Sequence, residues 1–233
     1  MELNKIYNED CLEGMNRIPD KSVDLIVTAP PYLINYKTGH RKDKAHRFND
    51  VILNDDNEQL ITDYVKECYR ILKDDTAMYL FCSSNKVDFF KRELEKLFSI
   101  KNMIIWAKNN HTAGDLESAF GRKYEIVFLV NKGQRKFIGE RLTDIWEFPR
   151  VSGGGQLHQN QKPIELIKRC IEKHSDVGDV VFDGFMGSGT TAAAALDTNR
   201  NYIGFELDEY YFNVAEKRIK NHTTQTDIFD VLE

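Results

Sequence analysis

Two hydrophobic periods alternate along the chain. Val23-Asp24-Leu25-Ile26-Val27-Thr28 is a short apolar run stopped by Pro30-Pro31, the pattern of a buried strand that ends in a loop. Between residues 57 and 73, Leu60, Ile61, Tyr64, Val65, Cys68 and Ile71 recur three and four positions apart, which predicts an amphipathic helix. Residues 76–82 read as a strand, and Val87, Phe90, Leu94 and Leu97 restore the helical spacing. The β-rich runs 102–108 and 124–130 come next, joined by a polar, glycine-containing stretch. Pro163 at a first helical position opens a helix to residue 174, and strands 180–183 and 202–206 flank a small-residue helix at 190–196. With a short strand around Ile6 and Tyr7, about seven strands alternate with helices. That order predicts an α/β domain on a doubly wound, mostly parallel seven-stranded sheet. Residues 1–233 show no repeat or linker and read as one domain. The long irregular stretches 33–56, 109–123 and 133–161 are where binding is expected.

Composition narrows the class. Hydrophobic residues at 41%, charged residues at 30% and only 5 Pro exclude a collagen, a disordered chain or a low-complexity linker. No apolar run reaches the roughly 18 to 20 residues of a membrane helix, and MELNKIYNED lacks the apolar core of a signal peptide, so a cytoplasmic protein is expected. Cys11, Cys68, Cys82 and Cys170 stand singly without a CxxC pair, which suggests neither zinc nor a disulfide framework. A net charge of −5 argues against indiscriminate polyanion binding and leaves any phosphate contact to local basic clusters.

The densest chemical signal is Phe182-Asp183-Gly184-Phe185-Met186-Gly187-Ser188-Gly189-Thr190-Thr191, which leaves one predicted strand and opens a predicted helix. Its glycines let the backbone approach a ligand, and the helix N-terminus offers free amides. A tight turn without ligand is the alternative, and a phosphate loop is disfavoured because no Lys follows Gly189. About 20 residues further on, Glu206 ends the next strand, where a nucleoside ribose would lie. Capping of a helix near Asp208 is the other use of that carboxylate.

Four segments together carry a family resemblance. Thr28-Ala29-Pro30-Pro31-Tyr32 resembles the (Asp/Asn/Ser)-Pro-Pro-(Tyr/Phe/Trp) signature of S-adenosylmethionine-dependent DNA amino-methyltransferases, and residues 182–191 are similar to their cofactor loop. Asn8-Glu9-Asp10-Cys11-Leu12 is similar to the family's Gly-Asp-Cys-Leu segment, and His158-Gln159-Asn160-Gln161-Lys162-Pro163 to its His-Pro-x-Gln-Lys-Pro segment. With the catalytic segment preceding the cofactor loop, the order resembles the circularly permuted β class, and the resemblance spans nearly the whole chain. It implies a Rossmann-like methyltransferase fold. It also implies a cofactor pocket from Asp10, Cys11, Lys162, Asp183, Phe185, Gly187, Ser188, Gly189, Thr190 and Glu206, and a catalytic segment Ala29, Pro30, Pro31 and Tyr32. For Asp10, helix capping is the competing use.

The implied reaction moves a methyl group from S-adenosylmethionine to the N6 amino group of an adenine flipped out of double-stranded DNA. That amino group is a poor nucleophile because its lone pair is delocalised into the ring. A carboxylate at the first motif position and the Pro30 carbonyl would accept its two hydrogens. Tyr32 would stack on the extruded base and offset part of the unstacking cost. This chain departs from the pattern at that point: position 29 is Ala, where Asp suits an adenine enzyme and Ser accompanies cytosine-N4 enzymes. With the other motifs largely intact, an introduced replacement of aspartate is expected, and this copy is expected to be weak or inactive. A cytosine-N4 enzyme and a pseudoenzyme that binds without transferring are the alternatives. Gln159 and Gly184 also stand where the family carries Pro.

DNA phosphates are expected to meet Lys37, Arg41, Lys42, Lys44 and Arg47, which come directly after Tyr32, and Arg135 and Lys136 in the later basic cluster. A solvated charged loop is the plainer alternative. Only about 25 residues occupy the place of a target-recognition domain, so short loops or a second subunit in a possible homodimer would read the target. No metal is implied. A bacterial or phage enzyme, nucleoid-associated when on DNA, is the expected setting.

Overall fold

The structure, a computed structural model, describes residues 1–34, 53–111, 117–153, 156–158 and 160–230, with side chains of the last helix described through His222. In chain order the elements are β1 (Lys5–Tyr7), α1 (Cys11–Met15), β2 (Val23–Thr28), α2 (Glu58–Ile71), β3 (Leu72–Cys82), α3 (Val87–Glu95), β4 (Ser99–Ala107), β5 (Tyr124–Lys132), β6 (Ile145–Glu147), α4 (Ile164–His174), β7 (Val180–Asp183), α5 (Thr190–Asp197), β8 (Asn201–Phe205) and α6 (Glu209–Asp230). The described strands form one sheet in the order β1-β8-β7-β2-β3-β5-β4-β6. Among them β5 alone runs against its neighbours.

Local chemistry explains where elements begin. The Asn57 side chain accepts the Leu60 amide at 3.0 Å and starts α2, whose Leu60, Ile61, Tyr64, Val65, Cys68 and Ile71 are all buried on one stripe. Pro163 is the residue ahead of α4 instead of its first helical residue, because its ψ of 138° is extended. The sheet has eight strands, where the hydrophobic pattern predicts seven. The addition, β6, is only three residues long and too short to display a period. It forms because Ile145, Trp146 and Glu147 pair with Ile105, Trp106 and Ala107 and bury Trp146.

Strand residues alternate between two packed layers. In β3, Met78, Leu80 and Cys82 join the core under α1, α2 and α3, whereas Ala77, Tyr79 and Phe81 join the core under α4, α5 and α6. Packing is close enough to be tested at Gly14, where an added Cβ would lie 2.1 Å from the Phe205 ring. Gly14→Ala is therefore expected to cost about 1–3 kcal/mol through overpacking, read as a lower thermal midpoint. An unchanged midpoint would show that α1 is not held against β8 in this way.

Topology then places the functional edge. From β2 the chain crosses through α2 to β3 on one side, and from β7 it crosses through α5 to β8 on the other. β2 and β7 are neighbours, so the winding direction reverses between them, and a crevice opens beyond their carboxyl ends. No helix among the described residues is long and apolar enough to cross a membrane.

Candidate active site

The carboxyl end of β2 is Thr28 and that of β7 is Asp183, 155 residues apart in sequence and joined directly: Thr28 Oγ1 donates to Asp183 Oδ1 at 3.0 Å. Thr191 Oγ1 donates to the other Asp183 oxygen at 2.7 Å, and the Phe185 amide to Oδ1 at 3.0 Å. Burial raises the Asp183 carboxyl above its ordinary range, with these three donors pulling the other way. Asp183 thus clamps the two central strand ends and the glycine loop. Tyr64 Oη, 2.8 Å from Thr28 Oγ1, accepts the Gly184 amide at 3.2 Å. A Cβ at Gly184 would stand 2.5 Å from the Tyr64 ring, so Tyr64 takes the space that any side chain at position 184 would need.

Around this clamp lies a cavity lined by the Ala29–Tyr32 segment, the 183–188 loop, Glu206, Asp10, Cys11 and Lys162. Gly187 and Gly189 have φ values of 54° and 78°, in the left-handed region, and Gly189 caps α5 where an added Cβ would lie 3.1 Å from Ala215 of α6. Ser188 and Thr190 line the same wall at the start of α5. His158 lines the same cavity, and its ring lies edge-on to Tyr211 with centroids 4.2 Å apart.

Glu206 holds the loop's other side. Its Oε2 accepts the Gly187 amide at 2.7 Å and its Oε1 the Asp208 amide at 2.9 Å. Asp208, not Glu206, caps α6, taking the Tyr210 and Tyr211 amides. Burial pushes the Glu206 carboxyl up to about 7 although both amides favour its ionised form. Asp10 does cap α1, with Oδ1 accepting Leu12 and Glu13 amides at 2.8 and 3.3 Å, and it also lines the cavity. Burial raises the Cys11 thiol, an inert neighbour.

Ala29 comes directly after β2, half-buried, and presents only a methyl group to the cavity. Tyr32 is buried, with its hydroxyl donating to Glu125 Oε2 at 2.8 Å and accepting from Lys162 Nζ at 2.8 Å. Lys162 therefore turns its ammonium toward Tyr32 and the Asn160 carbonyl (3.2 Å), on the Tyr32 side of the cavity. Sequence reasoning missed Glu125, Tyr64 and Lys108. The one visible signal is Glu125 itself, a carboxylate directly ahead of the apolar run Ile126 to Val130.

The basic residues separate. Lys37, Arg41, Lys42, Lys44, Arg47 and Gln159 lie outside the described residues. Arg135 and Lys136 are not brought to the site. They come after β5, whose last residue Lys132 pairs with Thr76 in the amino-terminal half of β3, and Arg135 reaches Asp176 ahead of β7. That is the opposite edge of the sheet, because β5 is antiparallel. Arg122, Lys123 and Arg150 are exposed at the carboxyl edge instead, on the connections that flank β4, β5 and β6.

A crevice beyond the carboxyl ends of β2 and β7 at a winding reversal, walled by the glycine loop and the Pro-Pro-Tyr segment, defines a Rossmann-like ligand-binding site. Residues 23–217 match the DNA methylase family of N6/N4 methyltransferases, and the chain belongs to that family. DNA adenine methyltransferase YhdJ of Escherichia coli K12 is 29% identical, over 94% of this chain and 83% of that protein. The type II methyltransferase M.HinfI of Haemophilus influenzae is 30% identical over 94% and 68%. Among solved structures, the M1.HpyAVI–SAM complex superposes with a TM-score of 0.72 at 26% identity, covering 92% of this chain and 98% of that one. The cytosine-N4-specific PvuII DNA methyltransferase, at 18% identity and a TM-score of 0.76, shows the shared fold.

Proposed function

We propose that this chain is built to transfer a methyl group from S-adenosylmethionine to the N6 amino group of adenine in double-stranded DNA, and that Ala29 limits the rate. The carrying observation is the direct Thr28–Asp183 contact, which merges the Pro30–Tyr32 segment and the glycine loop into one cavity. Support for adenine comes from the name borne by the YhdJ relative.

The residues present fit that cofactor. Each Glu206 oxygen accepts one amide and keeps a lone-pair direction for a ribose hydroxyl. Asp10, Cys11, Phe185, Gly187 and Ser188 supply a polar rim and an apolar wall of nucleoside size, with Gly189 and Thr190 opening α5 behind them. Asp183 keeps the loop in register. Bound S-adenosylmethionine supplies an electrophilic sulfonium methyl group. On the base side, the Pro30 carbonyl accepts one amino hydrogen, and Tyr32 provides the stacking surface. The other amino hydrogen finds no side-chain acceptor at position 29, so less electron density reaches the attacking nitrogen. The proton released on methylation leaves to solvent.

Cofactor binding is the first test, since every binding residue is present. Saturating S-adenosylmethionine, about 100 times its Kd, is expected to stabilise the fold by about 2.7 kcal/mol and to raise the thermal midpoint. No shift with the cofactor or its demethylated product, together with no calorimetric heat, rejects the assignment.

A further inference from the structure

Glu125 lies outside every family motif in the chain, yet it anchors Tyr32, the last side chain of the catalytic segment. Tyr32 Oη donates to its Oε2 at 2.8 Å, and Lys162 Nζ, which donates to the same hydroxyl, stands 3.0 Å from that oxygen. Lys108, just beyond β4, reaches Oε1 at 2.6 Å. The side chains of Glu125, Lys162 and Lys108 are 16%, 7% and 14% exposed, so the cluster is shielded from water. Burial alone would raise the Glu125 carboxyl, but Lys162 and Lys108 outweigh it and hold it at about 2. Glu125 is therefore a permanent carboxylate.

Such a cluster does more than tie strands together. A hydroxyl that donates to one fixed group and accepts from another has its direction set by both. The backbone end of Tyr32 is set independently: Pro30-Pro31 precede it, and the next amide, Leu33, donates to Asp55 Oδ1 at 2.8 Å. Both ends of the ring are thus held before any ligand arrives. We propose that Glu125 is the positioning residue for Tyr32, fixing the ring plane on which the target base stacks, with Lys108 as its counter-ion and Lys162 as the donor shared with the tyrosine hydroxyl. The base-stacking half rests on the methyltransferase reading above, whereas the fixing of the ring does not.

Two measurements on the full chain test this. In protein carrying ring-13C tyrosine, with the Tyr32 signal assigned through Tyr32→Phe, Glu125→Gln should take the ring order parameter from the rigid range, about 0.85, to below about 0.6. Lys108→Met, which removes the counter-ion and leaves the carboxylate paired with Lys162, should move it the same way and serves if Glu125→Gln does not fold. An unchanged ring in the folded variants overturns the proposal. In an Ala29→Asp background, Glu125→Gln and Tyr32→Phe should each lower kcat about tenfold, with KM for S-adenosylmethionine within about twofold. The double variant should fall no lower than the weaker single, because both remove one coupled contact. Losses that multiply, or a rise in KM with kcat intact, overturn it in favour of a purely structural ion pair. If the Ala29→Asp parent transfers no methyl group at all, the adenine reading fails, and the ring measurement still decides the positioning role.

Discussion

Methyl transfer to adenine is expected to rise at least about tenfold when Ala29 is replaced by aspartate. The backbone there is held on both sides: Thr28 is bound to Asp183 and Tyr64, and Pro30 confines the Ala29 backbone to the extended region. A new side chain at position 29 therefore projects into the existing cavity with little rearrangement. A charge-assisted hydrogen bond to the attacking amino group is worth about 1.5–3 kcal/mol, which corresponds to about 10- to 100-fold in rate. Asp183 nearby is a second carboxyl, but the Lys162 ammonium lies in the same cavity and offsets the added charge. Cofactor affinity should change less than about twofold, since Glu206 and the glycine loop are untouched. Radiolabelled transfer to methyl-free mixed-sequence duplex, with nucleoside analysis of the product, checks both rate and target. N4-methylcytosine from a parallel Ala29→Ser protein, with none from Ala29→Asp, would reassign the target to cytosine. Background transfer from both, with both ligands shown to bind, would leave a DNA- and cofactor-binding protein without transfer activity.

Glu206→Ala is expected to weaken S-adenosylmethionine binding by about 2 kcal/mol, roughly 30-fold, through loss of paired hydrogen bonds to an ionised carboxylate. The charged form must do the binding, and burial has pushed this carboxyl up to about 7. Affinity in the parent should accordingly fall as the medium is acidified from about pH 8 to about pH 6, and the Glu206→Ala protein should lose that dependence. Stability of the ligand-free fold responds with the opposite sign. A carboxyl whose folded pKa lies above its ordinary 4.5 contributes stability that is full below that value and is lost as pH rises through about 7. The ligand-free midpoint should thus decline less between about pH 5 and about pH 8 in Glu206→Ala than in the parent. Calorimetry at three pH values settles the first point and thermal melts the second. Equal affinity in parent and variant would confine Glu206 to shaping the turn between β8 and the 184–189 loop.

Much of this molecule is local, and for that reason legible from the chain alone. The stripe Leu60, Ile61, Tyr64, Val65, Cys68 and Ile71 makes α2 whatever it packs against, and the apolar run ended by Pro30-Pro31 makes a central strand and its stop. Gly187 and Gly189 are needed where the backbone turns left-handed, and short-range turn chemistry places them next to a helix start. The family, the doubly wound plan and the two halves of the cavity follow from such segments. The rest depends on which distant segments meet. Tyr32 finds Glu125 across 93 residues and Lys162 across 130, and no period or spacing encodes that encounter. The same holds for Gly184, whose lack of a side chain leaves room for the Tyr64 ring from 120 residues away. β6 exists because Ala107 and its neighbours offer a pairing edge, not because three residues favour a strand. The antiparallel course of β5 carries Arg135 and Lys136 to the far edge and Glu125 to the near one, although along the chain all three lie within a dozen residues of one another. Local propensity and short motifs thus determined the elements and the chemistry they bear. Strand order and direction decided which of those groups share a cavity, because contact energy depends on separation in space and the chain's numbering does not.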